Sequence, residues 1–560
     1  MTAGQLTGNR WLWLAALMWV VLMAVAVWTR PLLPVDETRY LAVAWEMWRE
    51  GNFLVPHLNG ETYSHKPPLL FWLMHLGWGL FGVNDWWPRL VAPLFGLGSL
   101  ICTVLLAGTL WPGPLYEGIR RRAPIILIGC LFWTFFTTLT MFDMILAFFT
   151  LLGLYGLVQA RRTGSWRGFW LVGLAIGLGI LAKGPAILLH ILPVALLAPL
   201  WATALSEGST TVNWRRWYGR TLVAVLSGAA LGLAWAVPAA LAGGEAYANA
   251  IFWGQSAGRM IDSFAHGRPW WWYGAILPPM ILPWLIWPPL WRAARTLPRA
   301  LGDGGVRLLL CWFLPAFIVF TAISGKQAHY LLPEFPAIAL LLAFLLSRPG
   351  LEPSYRRRDL LWPGLLFAAL GLVLIAAPFL PLRADTAAML GLIEPWWGLG
   401  IIAGGLFIML KPPKGDMTSL GGLAALAVLL ALVVHAALRP MLIGHYNMEP
   451  AALKLGQWDR QGYTIAHYGK YHGQYNFLGR IEKPFPIIGD GEAREWLPKN
   501  PRGKIITYHK TVADGFKPDF VYPSRRGLII IWDTQEALKD PVILKRPKET
   551  PKIKETPKIR

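Results

Sequence analysis

The chain has 560 residues, 55% of them hydrophobic, with 32 tryptophans and a formal charge of +21. That apolar content excludes an ordinary soluble globular protein and points to a chain that crosses a membrane many times. Three cysteines, Cys102, Cys130 and Cys311, each lie inside an apolar run, which excludes a disulfide framework and a thiolate metal cluster. Most Lys and Arg flank apolar runs, where they set topology and meet anionic headgroups, so membrane lipids and not nucleic acid are the expected partners of the positive charge.

The first apolar run, 11–29, has spanning length and no small-residue cleavage site ahead of the polar stretch, and reads as a retained anchor. Further helices are predicted at 89–111, 123–139, 144–160, 169–182, 186–202, 221–241, 273–291, 306–323, 333–347, 360–380, 396–410 and 419–438, about thirteen in all at the usual length per span. Basic clusters mark alternate loops: Arg120 to Arg122, Arg161 with Arg162 and Arg167, Arg215 with Arg216 and Arg220, Arg292 to Arg307, Arg356 to Arg358, and Lys411 with Lys414. The positive-inside rule makes these loops and the N-terminus cytoplasmic. The other loops, and everything after Arg439, then face outward, which in a bacterium is the periplasm.

The densest polar chemistry lies in the first outward loop, 30–88. Asp36 and Glu37 are followed by Arg39 and Tyr40, and later by Tyr63, His65 and Lys66 before a double proline. Within it, 38–49 reads as an amphipathic helix and 67–81 as a short apolar one, both expected at the membrane interface. An outward segment at 243–272 carries Tyr247, Phe252, Trp253, Met260 and Phe264, then HGRPWWWY with His266 and Arg268, an aromatic belt. After about residue 440 the segments shorten, with strand-like KIITYH and GLIIIW between turn residues, which predicts a soluble α/β domain over 440–545. The tail, 546–560, repeats KETPKI and reads as disordered and basic. Residues 1–439 form the expected transmembrane domain.

Ionisable groups next to a membrane are costly and therefore worth weighing singly. Asp36 and Asp143, the latter in TMFDMILAFF, each fit either a helix N-terminus, where a carboxylate accepts backbone N–H bonds, or a reacting acid. Glu37 fits a pairing with the adjacent turn. Lys183 in LAKGP and Lys326 in SGKQAHY fit snorkelling to headgroups when taken alone. Several cations on one face beside carboxylates fit an anionic substrate better, since ammonium and guanidinium match phosphate oxygens. Tyr40, Tyr63 and Tyr330 fit interface anchors, and Tyr330 stands beside Lys326 and His329. His65 and His266 are surface histidines or, together, ligands of a divalent ion such as zinc.

These residues resemble a known family. DETRYLAVAWEMWREGNFLVPHLNGETYSHKPPL is similar to the opening of bacterial GT-C glycosyltransferases, most closely the lipid A aminoarabinose transferases related to protein O-mannosyltransferases. The similarity continues through FDMILAFF, LAKG, the His266 loop and SGK with Tyr330, over most of the first 340 residues. It implies a GT-C-like helical membrane fold, an undecaprenyl-phosphate-linked sugar donor, an acceptor such as lipid A on the outer leaflet of the inner membrane, and transfer with inversion. The site it implies has Asp36 as central acid with Asp143 as a second catalytic carboxylate. Glu37, Arg39, Tyr40, Tyr63, Lys66, Lys183, Lys326 and Tyr330 would bind substrate, and His65 and His266 would hold any metal. The chain departs from the pattern at His65, where the aminoarabinose enzymes carry a glutamate; a carboxylate recognises a cationic amino sugar by charge, and a neutral imidazole does not. The alternatives are a same-fold transferase of another polyprenyl-linked sugar to core lipopolysaccharide or protein, and a transporter of the lipid-linked sugar. The absence of an internal repeat and the placement of polar groups in outer loops speak against the transporter.

Overall fold

The computed structural model describes residues 9–205, 212–254, 267–348, 350–525 and 527–544. His266, Met260, Phe264 and the tail at 546–560 lie outside them.

Among the described residues, nine helices are long and apolar enough to cross a membrane: Arg10–Thr29, Trp86–Leu110, Phe142–Thr163, Trp166–Lys183, Trp214–Gly254, Gly304–Ala322, Ala328–Ser347, Arg357–Phe379 and Asp416–Arg460. Each coincides with one of the thirteen predicted runs. The other four are short or broken, so the described residues do not confirm a count of thirteen full-length helices. Two remain as helices of fewer than 18 residues, Ala186–Leu196 and Trp397–Leu410. The run at 123–139 breaks at Cys130, which is extended between Glu117–Gly129 and Leu131–Phe136. The run at 273–291 breaks into Trp272–Met280, Trp284–Ile286 and Pro288–Ala294, because Pro278, Pro279, Pro283 and Pro288 remove donors and crowd the preceding turn. The two breaks satisfy each other's backbone: Leu131 N–H donates to the Leu282 carbonyl at 2.9 Å, and the Trp284 indole donates to the Ile126 carbonyl at 2.8 Å. Irregular backbone at such depth is tolerated only when buried in protein in this way.

The chain divides into two compact units, and the division is not a single cut at 440. The first unit holds 1–30, 51–56 and 62–440; the second holds 31–50, 57–61 and 441–560. In the first unit small residues let helices approach closely. The helices Phe142–Thr163 and Trp166–Lys183 meet where a Cβ on Gly168 would lie 2.5 Å from both Ala160 N and Gly156 O. The turn between them uses Gly164 at φ 65°, and Lys183 ends its helix at Gly184, φ 71°, followed by Pro185. Segment 51–56 is pinned in this unit by indoles: Trp72 donates to the Phe53 carbonyl at 2.7 Å and Trp235 to the Leu54 carbonyl at 2.9 Å.

The second unit contains a five-stranded sheet, with β1 (Thr464–Tyr468), β2 (Ile487–Ile488), β3 (Gly503–His509), β4 (Phe520–Ser524) and β5 (Gly527–Asp533) in the order β2-β1-β3-β5-β4. β1 runs parallel to β2 and β3; β5 is antiparallel to β3 and β4, with Ile506 opposite Ile531. Alternate residues feed two cores. Ile465, Ile506, Ile529 and Ile531 pack with Leu455 and Trp458 on one face, and Ala466, Ile505, Ile530 and Trp532 with Ala493 and Leu497 on the other. The predicted strands KIITYH and GLIIIW are β3 and β5. The predicted amphipathic helix is Asp36–Glu50, and it belongs to this unit; Leu41, Ala42, Val43 and Ala44 are all buried, so protein surrounds it on more sides than a helix lying flat on a membrane would need.

Gly168→Val should cost about 1–3 kcal/mol by overpacking a helix contact with no side-chain slack. A lowered unfolding midpoint in detergent checks it, with Gly164→Asn, which tolerates the left-handed turn, as the near-neutral control. Equal midpoints for both variants would contradict this packing.

Candidate active site

In the second unit the first turn of the Asp36–Glu50 helix gathers the acidic motif. Asp36, exposed, pairs with Arg39 one turn on, and the Tyr40 hydroxyl lies 3.4 Å from Asp36 Oδ1. These are the i,i+3 and i,i+4 neighbours of a helix face, and a carboxylate there also favours the positive end of the dipole. Arg39 further stacks on the Tyr40 ring, with its guanidinium carbon 5.8 Å from the centroid. Glu37 does something else: buried, it accepts the Leu33 N–H at 2.9 Å and closes the turn leading into the helix. The pairing of Glu37 with its adjacent turn is thus what the structure shows.

The first unit gathers a second set. Asp143, 2% exposed in the first turn of Phe142–Thr163, pairs with Lys183 at the end of Trp166–Lys183. Each charge sits at the helix terminus whose dipole favours it. The Lys183 ammonium also lies 4.8 Å from the centroid of the Tyr330 ring, and Lys66 lies 5.4 Å from the Phe142 ring. The charges of Lys66 and of the His329 ring are within electrostatic reach of Asp143. Tyr63, buried, stands with its ring 5.3 Å from His65 and 6.4 Å from Phe71. The structure therefore brings Lys66, Asp143, Lys183 and Tyr330 together in one unit, and Asp36, Glu37, Arg39 and Tyr40 together in the other.

Lys326 is bonded elsewhere in the first unit. It is 3% exposed and its ammonium donates to the backbone carbonyls of Ile323 and, at 3.2 Å, Arg268. Ile323 caps the helix Gly304–Ala322, so Lys326 satisfies a helix end. His65 is exposed. Among the described residues no three His, Cys, Asp or Glu side chains gather as a metal site, and His266 lies outside them; no step below is routed through a metal.

Sequence reading missed a buried pair. His190 and Glu334 are both 0% exposed with Nδ1 and Oε1 2.5 Å apart. His190 stands seven residues after Lys183 and Glu334 four after Tyr330, so the pair ties together the two segments that carry the Lys183–Tyr330 contact. An ionisable group inside an apolar helix was the available signal.

Residues 65–238 match the family described as dolichyl-phosphate-mannose-protein mannosyltransferase, in line with the resemblance carried by the motifs. More particularly, the fold is that of ArnT from Cupriavidus metallidurans: the apo crystal structure superposes with a TM-score of 0.73 at 18% identity, covering 94% of this chain and 98% of that one. The same protein bound to undecaprenyl phosphate gives 0.73 at 19% identity over the same shares. In sequence the chain is 31% identical over 365 residues to the undecaprenyl phosphate-alpha-4-amino-4-deoxy-L-arabinose arabinosyl transferase of Pseudomonas aeruginosa, covering 62% of this chain and 61% of that one. It is 29% identical over 395 residues to the protein of that name from Pectobacterium carotovorum, covering 66% and 64%. The chain thus spans about three-fifths of the length of the curated relatives it matches.

Lys183→Met leaves a buried carboxylate unpaired and should cost about 3–5 kcal/mol, whereas Lys183→Met with Asp143→Leu should recover most of that stability. Unfolding midpoints check this. If the pair serves substrate as well as stability, the double variant stays inactive in the transfer assay described next; recovered activity would make the pair purely structural.

Proposed function

We propose that the chain is an inverting glycosyltransferase that moves a sugar, 4-amino-4-deoxy-L-arabinose in the first instance, from undecaprenyl phosphate to a phosphate of lipid A at the periplasmic face of the bacterial inner membrane. Its N-terminus would be cytoplasmic and its C-terminal domain periplasmic. The observation that carries the reading is the convergence of Lys66, Asp143, Lys183 and Tyr330 from four distant stretches of sequence, in a chain with the ArnT fold. The printed names of the relatives supply the donor and the sugar.

The chemistry asked of these residues is modest. The acceptor oxygen forms a bond to the anomeric carbon as that carbon's bond to the donor phosphate oxygen breaks, and the electron pair stays on undecaprenyl phosphate. Charge accumulating on the leaving phosphate is stabilised by preorganised cations. Lys66 is assigned that role. Lys183 shares its charge with Asp143, and its role is to hold Tyr330 and the phosphate end of the site in place. A lipid A phosphate, with a second pKa of about 6, is ionised at neutral pH and needs no base. Asp36 then orients the acceptor and Arg39; with a hydroxyl acceptor it serves as general base. His65 favours a second reading, a same-fold transferase of another polyprenyl-linked sugar, because it lacks the charge that would attract an amino sugar.

The test is mass spectrometry of lipid A from a strain that makes the lipid-linked donor but lacks its own transferase, complemented with this chain or its Asp36→Asn variant. The expected result is one added aminopentose with the parent chain and little or none with the variant. No increment despite membrane expression overturns the aminoarabinose assignment and directs the assay to other polyprenyl-phosphate sugars.

A further inference from the structure

The C-terminal unit has no place in the reaction as written, yet it holds the helix that starts with Asp36. That helix has 15 residues, about 22 Å at the standard rise. Its first turn carries Asp36, Arg39 and Tyr40, and its second half carries the attachments. The Trp45 indole donates to the Ile481 carbonyl at 3.0 Å. The Arg480 guanidinium stacks between two rings, 5.4 Å from the Trp45 centroid and 4.0 Å from that of Phe477. Glu46, 3% exposed, accepts the N–H groups of Asn59 and Gly60, each at 2.6 Å. Burial holds the Glu46 carboxyl above the usual carboxylate range, and these two donors only partly oppose it. Asn59 and Gly60 form a turn with positive φ at both residues, 57° and 82°. From that turn the Asn59 amide accepts from Phe485 N–H at 2.8 Å and donates to the Phe485 carbonyl at 2.9 Å. Finally Gly473, at φ 74°, lets its loop press on the helix: a Cβ there would lie 2.5 Å from Leu58 Cδ1 and 3.0 Å from Ala42 Cβ.

Apolar contact alone would hold such a helix with freedom to slide or turn. Directional bonds to Ile481, Phe485 and the Asn59–Gly60 turn remove that freedom, since a shift of one residue moves a helix by about 1.5 Å and turns it by about 100°. We infer that the C-terminal α/β unit is the frame that orients the catalytic acid, with Trp45, Glu46, Asn59 and Arg480 as positioning residues that act on transfer through Asp36. This rests on the role proposed above for Asp36. The frame explains why Trp45 and Glu46, in the second half of the helix and away from the acidic motif, are bonded to other segments.

The experiment uses the full chain, purified, with the lipid-linked sugar found active in the lipid A assay and lipid A as acceptor. Asn59→Gly keeps the backbone turn and removes both bonds to Phe485; Trp45→Phe keeps a ring under Arg480 and removes the bond to Ile481. Misplacement by about 1 Å can cost on the order of 10²-fold, so each is expected to lower kcat by about 10- to 100-fold with KM for the donor and the unfolding midpoint nearly unchanged. Trp45→Ala, losing bond and stack, should fall further than Trp45→Phe. In an Asp36→Asn background the Asn59→Gly effect should vanish, the non-additivity expected of groups acting as one unit. If Asp36→Asn is impaired but Asn59→Gly and Trp45→Phe keep parental kcat, or if their losses simply add to that of Asp36→Asn, the positioning inference is overturned while the proposed function stands. Parental turnover by Asp36→Asn removes the assigned role of Asp36 and the inference with it.

Discussion

An ionised carboxylate taken out of water costs several kcal/mol unless it meets a cation or a set of donors; of the five carboxylates almost wholly buried among the described residues, Glu37, Glu46, Asp143, Glu334 and Asp359, three bear on the segments of the candidate site: Glu46, Asp143 and Glu334. Each meets the constraint differently. Asp143 takes a lysine from the end of the neighbouring helix, Glu334 takes a histidine, and Glu46 takes two backbone N–H groups of a turn. In every case the partner comes from a segment other than the carboxylate's own helix. The cost of burial is thereby converted into a requirement that two segments keep one arrangement, and the segments concerned carry Lys183, Tyr330 and Asp36.

Part of this was legible in the sequence. Lys183 and Asp143 stand at the ends of apolar runs, where helix geometry and dipole leave few uses for a charge, so both were picked as candidates. The strands β3 and β5 were legible because alternating Ile and aromatic residues fit a sheet with a core on each face. What sequence periodicity could not show was partnership across the chain. His190 and Glu334 each look like an isolated polar residue in an apolar helix until the fold sets one against the other. In sequence Lys326 resembles Lys183, a lone ammonium at the end of an apolar run, and only the path of the backbone reveals that its ammonium caps a helix end. The predicted run at 273–291 departs from one continuous helix for a local reason: hydropathy sees an apolar run there, whereas the prolines within it break the hydrogen-bond ladder.

The Asn59–Gly60 turn was open to a closer reading. An Asn-Gly dipeptide between short extended segments is a strong turn signal, because both residues accept positive φ. The second half of the first outward loop is therefore organised by a tight turn with its own anchor to Glu46, and the loop is no loose connection between membrane helices.

The path of the chain through this region carries the remaining argument. From Arg30 it enters the second unit for residues 31–50, returns to the first for 51–56, visits the second again for 57–61 and leaves at 62. Each short excursion orders backbone that a direct connection would leave free, at about 1–2 kcal/mol of entropy per residue, and specific bonds hold each end. Arg30 donates to the Thr138 carbonyl and Arg89 to the Arg30 carbonyl; Trp72 and Trp235 hold 53 and 54; Glu46 and Phe485 hold 59 and 60. The family match begins at His65, after the last of these excursions. The stretch that presents Asp36 thus lies outside the matched segment. If the chain carries out the transfer proposed for it, a substitution that loosens one of these bonds changes the rate without touching a reacting atom.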